Sequence, residues 1–425
     1  MRLSPSTRRR LRLLRPRGLR GELERVGRKL VRRARRVEER VVTLEPEGAS
    51  RGRVLFSYIL DPFLVPRGGE VSHDHTHDWE SLEMARAFVE RGYTVDAIHW
   101  TNRSFEPEHD YAVFVDPRLN MERLAPRLGP GCVKILHAET AHWTFHNEAQ
   151  RRRLAGLAAR RGRALAPYKL IEENRALEHA DALTILGNEL TAGTYAFAGK
   201  PMVRVPISSP YLYPFPEGKD FDACRRRFLW FGSGGLVHKG LDLVLEAFAG
   251  LPGYHLTVCG PIAREREFEL AFWRELYETE NIDTVGWVDV AGPAFREVAE
   301  STLGLVYPSC SEGGGGSAIN CMHAGLVPVL SYEASVDVEP AFGRILEESS
   351  VAGVRRVVEE LAARPAAELE AMARASWRHA REHHTRAGFA AGYRRALDRI
   401  LDRSAGPIES EGPVSSDVPV EVAGR

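Results

Sequence analysis

Residues 305–330, LVYPSCSEGGGGSAINCMHAGLVPVL, decide the fold class of this chain. An apolar run that is typical of a buried strand ends at Pro308, and Glu312 with four consecutive glycines follows it. A helix-compatible segment begins at about Ser317, Gly325 suits its C-terminal cap, and a second apolar strand comes next. Because glycine has no Cβ, the backbone amides of such a turn can approach an anion, and a helix N-terminus favours negative charge. The stretch therefore predicts a phosphate site beside a carboxylate that can orient the hydroxyls of a polyol.

The composition is that of a globular protein with room for two domains. The chain has 425 residues, of which 44% are hydrophobic and 27% are charged. No apolar run approaches the length of about 20 residues that a membrane-spanning helix needs. Arginines near the N-terminus are not followed by an apolar core, so we expect no secretory signal.

The five cysteines indicate a reducing compartment. They are scattered, odd in number and without CxxC spacing, at Cys132, Cys224, Cys259, Cys310 and Cys321. This pattern favours small buried thiols over a disulfide framework or a zinc site. We therefore expect a cytoplasmic protein.

The charge is zero overall but unevenly distributed. Residues 1–40 hold 15 Arg and one Lys against four Glu, a net charge of about +12. We predict a basic arm over residues 1–48, partly helical between Glu22 and Arg40. A solvated extension is one interpretation, and peripheral contact with an anionic membrane or an acidic partner is the other. Nucleic-acid binding is less favoured, since no aromatic residue interleaves the arginines.

Two α/β units follow the arm. Residues 49–210 alternate strand-like and helix-like segments, which predicts parallel strands joined by right-handed crossovers. A proline-rich linker then precedes a second unit of the same kind over residues 211–403. The Pro-, Ser- and Glu-rich tail 404–425 is predicted to be disordered. Ligands of such sheets bind beyond the carboxyl ends of the strands, in the crevice between the two units.

A second glycine-rich loop follows the first strand of the C-terminal unit. The segment 231–248 reads FGSGGLVHKGLDLVLEAF and places Ser233, Gly234 and Gly235 before Lys239. Small residues leave space for phosphate oxygens, and lysine adds a positive charge on a flexible stem. An ordinary strand–helix turn with a solvated lysine is the alternative. The Glu312 loop, in the equivalent position some strands later, favours the phosphate interpretation.

These segments, with LTVCGP, VGWVD and SYE between and after them, resemble the C-terminal domain of retaining glycosyltransferases of the GT-B fold, family 4 type. The resemblance extends over roughly residues 225–335, and ERGYTVDAIHW is similar to the first βαβ unit of that family. It implies two Rossmann-like domains that face each other across a cleft, with a C-terminal helix near Ala387–Leu401 crossing back.

The resemblance also implies site residues. Lys239 would bind the diphosphate of a nucleotide-sugar donor, and Glu312 would lie against the donor sugar. Donor contacts are further implied for Ser233, Gly234, Gly235, Gly313, Gly314, Gly315, Gly316, Ser317, Asn320, Trp287 and Val288. No metal and no resident cofactor are implied, because lysine, amides and helix dipole neutralise the leaving diphosphate.

This chain departs from the family pattern at two positions. The family usually has an arginine about six residues before its lysine, and Ser233 stands there. Asn320 stands where a second glutamate usually binds the ribose, and asparagine can still bind a hydroxyl. A replacement cation, weak donor binding and a different donor remain alternatives.

The N-terminal unit offers two groups of candidates. The loop after its first strand holds Gly68, Gly69, His73, His75 and His77. Acceptor or phosphate contact, a metal site and a plain surface loop are all open interpretations of this loop. In VKILHAETAHW, His137 at a predicted strand end is the first candidate for a sugar contact, and His142 is the second. A buried structural histidine is the alternative for both.

We therefore expect a metal-independent, retaining glycosyltransferase that uses a nucleotide sugar and an acceptor that the sequence does not identify. The first alternative is a catalytically degenerate GT-B protein that binds a nucleotide or glycan. The second is a metal-dependent hydrolase built on His73, His75 and His77.

Overall fold

The computed structural model describes residues 37–66, 69, 71 and 76–402. The predictions for the basic arm before residue 37 and for the tail from 404 onwards lie outside these ranges. The strands are β1 Val41–Leu44, β2 Arg53–Tyr58, β3 Thr94–His99, β4 Val113–Asp116, β5 Val133–Ala138, β6 Ala182–Leu186, β7 Met202–Val205, β8 Arg227–Phe231, β9 His255–Cys259, β10 Ile282–Gly286, β11 Gly304–Tyr307, β12 Val327–Leu330 and β13 Arg344–Ile345.

Helices connect these strands in both halves of the chain. They are α1 Thr76–Val89, α2 Leu119–Leu124, α3 Trp143–Arg161, α4 Ala176–His179, α5 Glu189–Gly193, α6 Phe221–Cys224, α7 Leu241–Ala249, α8 Arg266–Ala271, α9 Trp273–Tyr277, α10 Pro293–Ser301, α11 Gly316–His323, α12 Val351–Ala362, α13 Ala366–His383 and α14 Arg386–Leu401.

The first domain is built on a seven-stranded sheet in the order β1-β3-β2-β4-β5-β6-β7. Its inner strands are parallel and buried, as expected for a sheet with helices on both faces. Strand β1 pairs antiparallel with β3 at the edge, with Val41 opposite Ile98. The first sheet thus begins within the segment that we assigned to the arm, before the expected boundary at residue 49.

The second domain is built on a six-stranded parallel sheet in the order β10-β9-β8-β11-β12-β13. Strand β10 ends at Gly286, before Trp287 and Val288. Gly286 adopts a left-handed backbone with φ of 88° and shifts the register with β9, which ends the strand there. Trp287 and Val288 consequently lie in the loop beyond the carboxyl end of β10.

The last helix returns to the first domain, as the fold prediction expected. Phe389 and Tyr393 of α14 are buried, and their rings stack at 6.1 Å between centroids. Arg394 binds Glu83 of α1 at 2.9 Å and Glu90, the residue after this helix, at 2.7 Å. The chain therefore closes across the domain junction through both apolar packing and ion pairs.

Within the described ranges, no helix is both long enough and apolar enough to cross a bilayer.

Replacing Phe389 with alanine should destabilise the protein through the crossover helix. Truncation of a fully buried phenylalanine costs about 3–5 kcal/mol, because a cavity remains. Denaturant unfolding followed by circular dichroism measures this cost. Phe197→Ala makes the same truncation at a side chain that is 72% exposed, and its unfolding free energy should change little. Equal effects of the two substitutions would contradict the docking of α14.

Candidate active site

A cavity of about 560 Å³ lies between the carboxyl ends of the two sheets. This is the edge at which parallel sheets bind ligands. The second domain contributes the loops after β8, β9, β10 and β11, with Gly232, Ser233, His238, Lys239, Gly260, Trp287, Val288, Tyr307, Glu312, Gly313, Gly315, Gly316, Ser317 and Asn320. The first domain contributes, among others, Tyr58, Thr76, His77, Trp100, Arg118, Glu139, Thr140, His146, Tyr168 and Lys169.

An ion pair between Lys239 and Glu312 lies at the centre of the second-domain wall. The Nζ of Lys239 donates to Oε1 of Glu312 and, at 2.6 Å, to the hydroxyl of Tyr307. The same Oε1 accepts from the hydroxyls of Tyr307 and Ser309, each at 2.9 Å. Burial alone would raise the pKa of Glu312, but Lys239 lowers it well below its usual range. The pair is therefore charged and held on three sides.

The glycine run after Glu312 serves two purposes. Gly315, Gly316 and Ser317 line the cleft at the start of α11, where backbone amides are available to a ligand. Gly313 contacts the first domain, since a Cβ there would lie 2.1 Å from the carbonyl oxygen of Glu139. Gly314, with φ of 96°, packs against Ile207 and does not line the cavity.

The remaining donor candidates separate into two groups. Ser233, Trp287, Val288 and Asn320 line the cleft, and Oδ1 of Asn320 accepts a hydrogen bond from Ser209 at 2.9 Å. Gly234 and Gly235 do not line this cavity. A Cβ on Gly234 would meet the ring of Tyr168 at 2.9 Å, and one on Gly235 would meet Cγ of Lys169 at 2.6 Å. Both glycines therefore leave room for the first domain.

The structure does not bring His137 to the cleft. Strand β5 extends to Ala138, so His137 lies within the strand, on a face covered by α14. Its ring contacts Tyr58 and Tyr393 at 5.3 and 6.4 Å, and its Nδ1 lies 2.9 Å from Thr184 Oγ1. Burial lowers its pKa to about 4. The second candidate, His142, caps α3 and packs against Tyr195 and Phe197, also away from the main cleft.

Glu139, which the sequence analysis passed over, is the carboxylate that the first domain presents to the cleft. It pairs with Arg118 and accepts a hydrogen bond from the Tyr58 hydroxyl at 3.0 Å. Burial alone would raise its pKa, but Arg118 above all lowers it to about 2. Its position just beyond the end of β5 was the signal available, since residues that follow parallel strands face the ligand.

The histidine loop is described only in part. Gly68, His73 and His75 lie outside the described residues, whereas Gly69 packs against Val65 away from the cleft. His77 lines the cleft, and its Nδ1 lies 2.7 Å from Oε2 of the buried Glu80. Burial would lower the pKa of His77, but the bond and charge of Glu80 outweigh it and raise the pKa. In the described part of the chain, no three His, Cys, Asp or Glu side chains are grouped to hold a metal.

Two further histidines join the domains behind the ion pair. The rings of His146 and His238 lie 4.7 Å apart, and both contact Ser311. Burial lowers the pKa of His146 and brings that of His238 to about 3. They are therefore neutral at physiological pH and serve as hydrogen-bonding wall residues.

No protein-family model matches this chain, and no curated protein matches it. Among solved structures, a glycosyltransferase from Rickettsia africae superposes with a TM-score of 0.53 at 9% identity, over 83% of this chain and 99% of that one. HepE from Anabaena, in complex with UDP and glucose, gives a TM-score of 0.50 at 10% identity, over 83% and 100%. The chain has the GT-B fold. It spans little more than half of two longer matches, 57% of the pneumococcal O-GlcNAc transferase GtfA and 55% of S. aureus TarM.

Replacing Gly313 with alanine should disturb the domain junction. The new Cβ would lie 2.1 Å from the backbone carbonyl oxygen of Glu139, so the backbone would have to shift, and overpacking of this kind costs about 1–3 kcal/mol. Gly316→Ala is the matched control in the same run, because its Cβ would meet only Ile207 at 3.8 Å. Thermal unfolding should show a lower midpoint for the first variant alone. An unchanged midpoint for Gly313→Ala would contradict the described contact.

The His77–Glu80 pair should make stability depend on pH in a defined direction. A histidine whose pKa is raised by folding stabilises the protein below its unfolded value of about 6.5, and this contribution disappears as pH rises through the folded value. His77→Gln should therefore lower the free energy of unfolding more at a pH below about 6.5 than in alkaline buffer. His109→Gln, which removes an exposed histidine, is the control. A pH-independent cost at His77 would show that the pair is not charged.

Proposed function

We propose that this protein is a retaining glycosyltransferase that moves a sugar from a nucleotide-diphosphate donor to a hydroxyl-bearing acceptor without a resident metal. The observation that carries the proposal is the Lys239–Glu312 pair beside a glycine turn and a helix N-terminus, in the cleft of a GT-B fold. Retention rests on the resemblance of the C-terminal motifs and not on the geometry.

The second domain is the donor side in this proposal. Lys239 and the amides at the start of α11 would meet the diphosphate, where positive charge stabilises a leaving anion. The hydrogen bonds that described side chains give to the Glu312 carboxylate all end on Oε1. Its Oε2 would accept from a sugar hydroxyl. Trp287 and Val288, in the loop after β10, would lie beside the nucleotide base.

The chemical step exchanges one C–O bond for another. The bond between the anomeric carbon and the diphosphate oxygen breaks with its electron pair going to the diphosphate. The acceptor oxygen attacks the same carbon from the face that the diphosphate leaves, and its proton passes to a phosphate oxygen. Lys239 would stabilise the departing charge, so no separate base is required.

The first domain is the acceptor side. Glu139, Arg118, Tyr58 and His77, which is paired with the buried Glu80, form a polar wall opposite the ion pair. Such a wall suits an acceptor with several hydroxyl groups, because carboxylate and imidazole groups both bind them. The acceptor itself would be identified by screening.

Uridine sugars are the first donors to test. The Anabaena protein of the same fold was solved with UDP and glucose, and this guides the choice of probe. Guanosine and adenosine sugars complete the panel.

The degenerate binder remains the second candidate, and a specific observation favours it. Asn320 is already bonded to Ser209, and Ser233 leaves the loop after β8 without a second cation. A protein of this kind would bind a nucleoside diphosphate but release none from a nucleotide sugar.

Hydrolysis of the donor tests the proposal without a known acceptor. Purified protein should release nucleoside diphosphate slowly from one sugar of the panel, and EDTA should not change the rate. Lys239→Met and Glu312→Gln should each lower this rate, by roughly a hundredfold to a thousandfold for the lysine, because the leaving charge loses its partner.

Glu297→Gln is the control for these variants, since Glu297 is exposed on α10 and remote from the cleft. Retained hydrolysis in both cleft variants would refute the proposal. Binding of a nucleoside diphosphate without any hydrolysis would favour the degenerate binder, and hydrolysis abolished by EDTA would direct attention to the histidine loop.

A further inference from the structure

A segment of the first domain extends over the second-domain wall of the cleft. Residues 162–175 connect α3 to α4 without regular structure, and we call them the strap. The strap is fastened to α3, because His146 Nε2 lies 2.7 Å from the Lys169 carbonyl oxygen. The side chain of Asn147 bonds both the amide and the carbonyl of Ile171 at 2.8 Å. The backbone of the strap is therefore anchored to α3 at Lys169 and again at Ile171.

The strap lies directly on the glycine-rich loop after β8. Gly234 and Gly235 are the two positions where a Cβ would collide with Tyr168 and Lys169. The strap thus fills the space beside these two glycines that the sequence analysis assigned to phosphate oxygens. Packed in this way, the strap places the Lys169 side chain in the lining of the cleft.

The anion-binding amides of this loop are already occupied. The Glu265 carboxylate accepts hydrogen bonds from the amides of Gly235 and Leu236, at 2.5 and 3.1 Å. A carboxylate of the chain itself therefore occupies the position that a phosphate would take in a free loop. Positive charge for a diphosphate must come from elsewhere in the cleft.

Among the described cations of the cleft, Lys169 is the one without an acidic partner. Lys239 is paired with Glu312, and Arg118 is paired with Glu139. No described carboxylate lies within salt-bridge distance of Lys169, and its ammonium makes no hydrogen bond within the described ranges. Burial and then the charge of Lys239 lower the pKa of Lys169. The charge of a bound anion would offset both effects.

We propose that Lys169 is the second cation of the diphosphate site, supplied by the first domain through the strap. The inference rests on the proposed donor and extends it. Ser233 leaves the second domain with one lysine at this site, and Lys169 restores a pair of positive charges from the opposite side. The diphosphate would then bind between the two domains and favour their closed arrangement.

Calorimetric titration can distinguish a charge contact between Lys169 and the diphosphate from an effect of Lys169 on the shape of the pocket. UDP, GDP and ADP are titrated into the full chain, together with the corresponding nucleosides. Lys169→Met should weaken the diphosphate that binds best by about tenfold to a hundredfold, as expected for one charged hydrogen bond, and leave the nucleoside unaffected. Lys169→Arg should restore most of the affinity. Arg163→Met removes the same charge from an exposed position of the strap and should behave as the unmodified protein.

Each result decides between stated alternatives. Equal diphosphate affinity in Lys169→Met and Arg163→Met would overturn the role of Lys169. If Lys239→Met still binds the diphosphate more weakly, the proposed function stays intact. Equal loss of nucleoside and diphosphate would also overturn it, because the strap would then shape the pocket rather than supply charge. Failure of all three diphosphates to bind the unmodified protein would overturn both proposals. Lys169→Gln provides the same comparison if the methionine variant does not fold.

Discussion

The ion pair between Lys239 and Glu312 is the interaction on which the cleft depends. Strands β8 and β11 are neighbours in the second sheet, with Phe228 opposite Gly304, so the loops that follow them leave the sheet side by side. A buried ion pair is costly unless further hydrogen bonds satisfy it, and the Tyr307 hydroxyl supplies such a bond to both partners. The pair thereby fixes the relative position of two loops that are distant in sequence. The same charges are then in place when a ligand enters.

The two domains are coupled at several points rather than joined by a simple linker. Helix α14 packs on the first domain, the strap lies on the second, and Gly313 touches the backbone after β5. Each contact depends on a small residue or a buried aromatic residue, so the distance across the cleft is set by packing. This explains why a chain that resembles two separate Rossmann-like units encloses one continuous cavity.

The fold and the two residues of the ion pair could be predicted because their signals are local, whereas the pairing of the two charges was not predicted. Lys239 and Glu312 each lie in a contiguous strand, glycine turn and helix, and periodicity reveals such a unit without knowledge of the partner. Lys169 was missed because only the tertiary structure brings its irregular segment to the cleft, whereas Glu139 and Arg118 closely follow the ends of β5 and β4 and could have been found there. His137 was predicted to end its strand and to face the cleft. Strand β5 continues to Ala138, so His137 lies inside the strand and is buried. A boundary error of this size exchanges a cleft residue for a core residue.

Glycine-rich loops show most clearly why a motif does not determine a ligand. Gly315 and Gly316 remain open to the cleft, whereas Gly234 and Gly235 are covered by the strap, although both pairs follow a parallel strand. The space left by a missing Cβ can be filled by a ligand or by another part of the protein. At Gly234 and Gly235 it is filled by the strap of the same chain. The amides of Gly235 and Leu236 bind Glu265 for the same reason. The charge available to a ligand is therefore determined by the pairs that the fold has already made, and a cation without a partner indicates an anion site more directly than a glycine motif does.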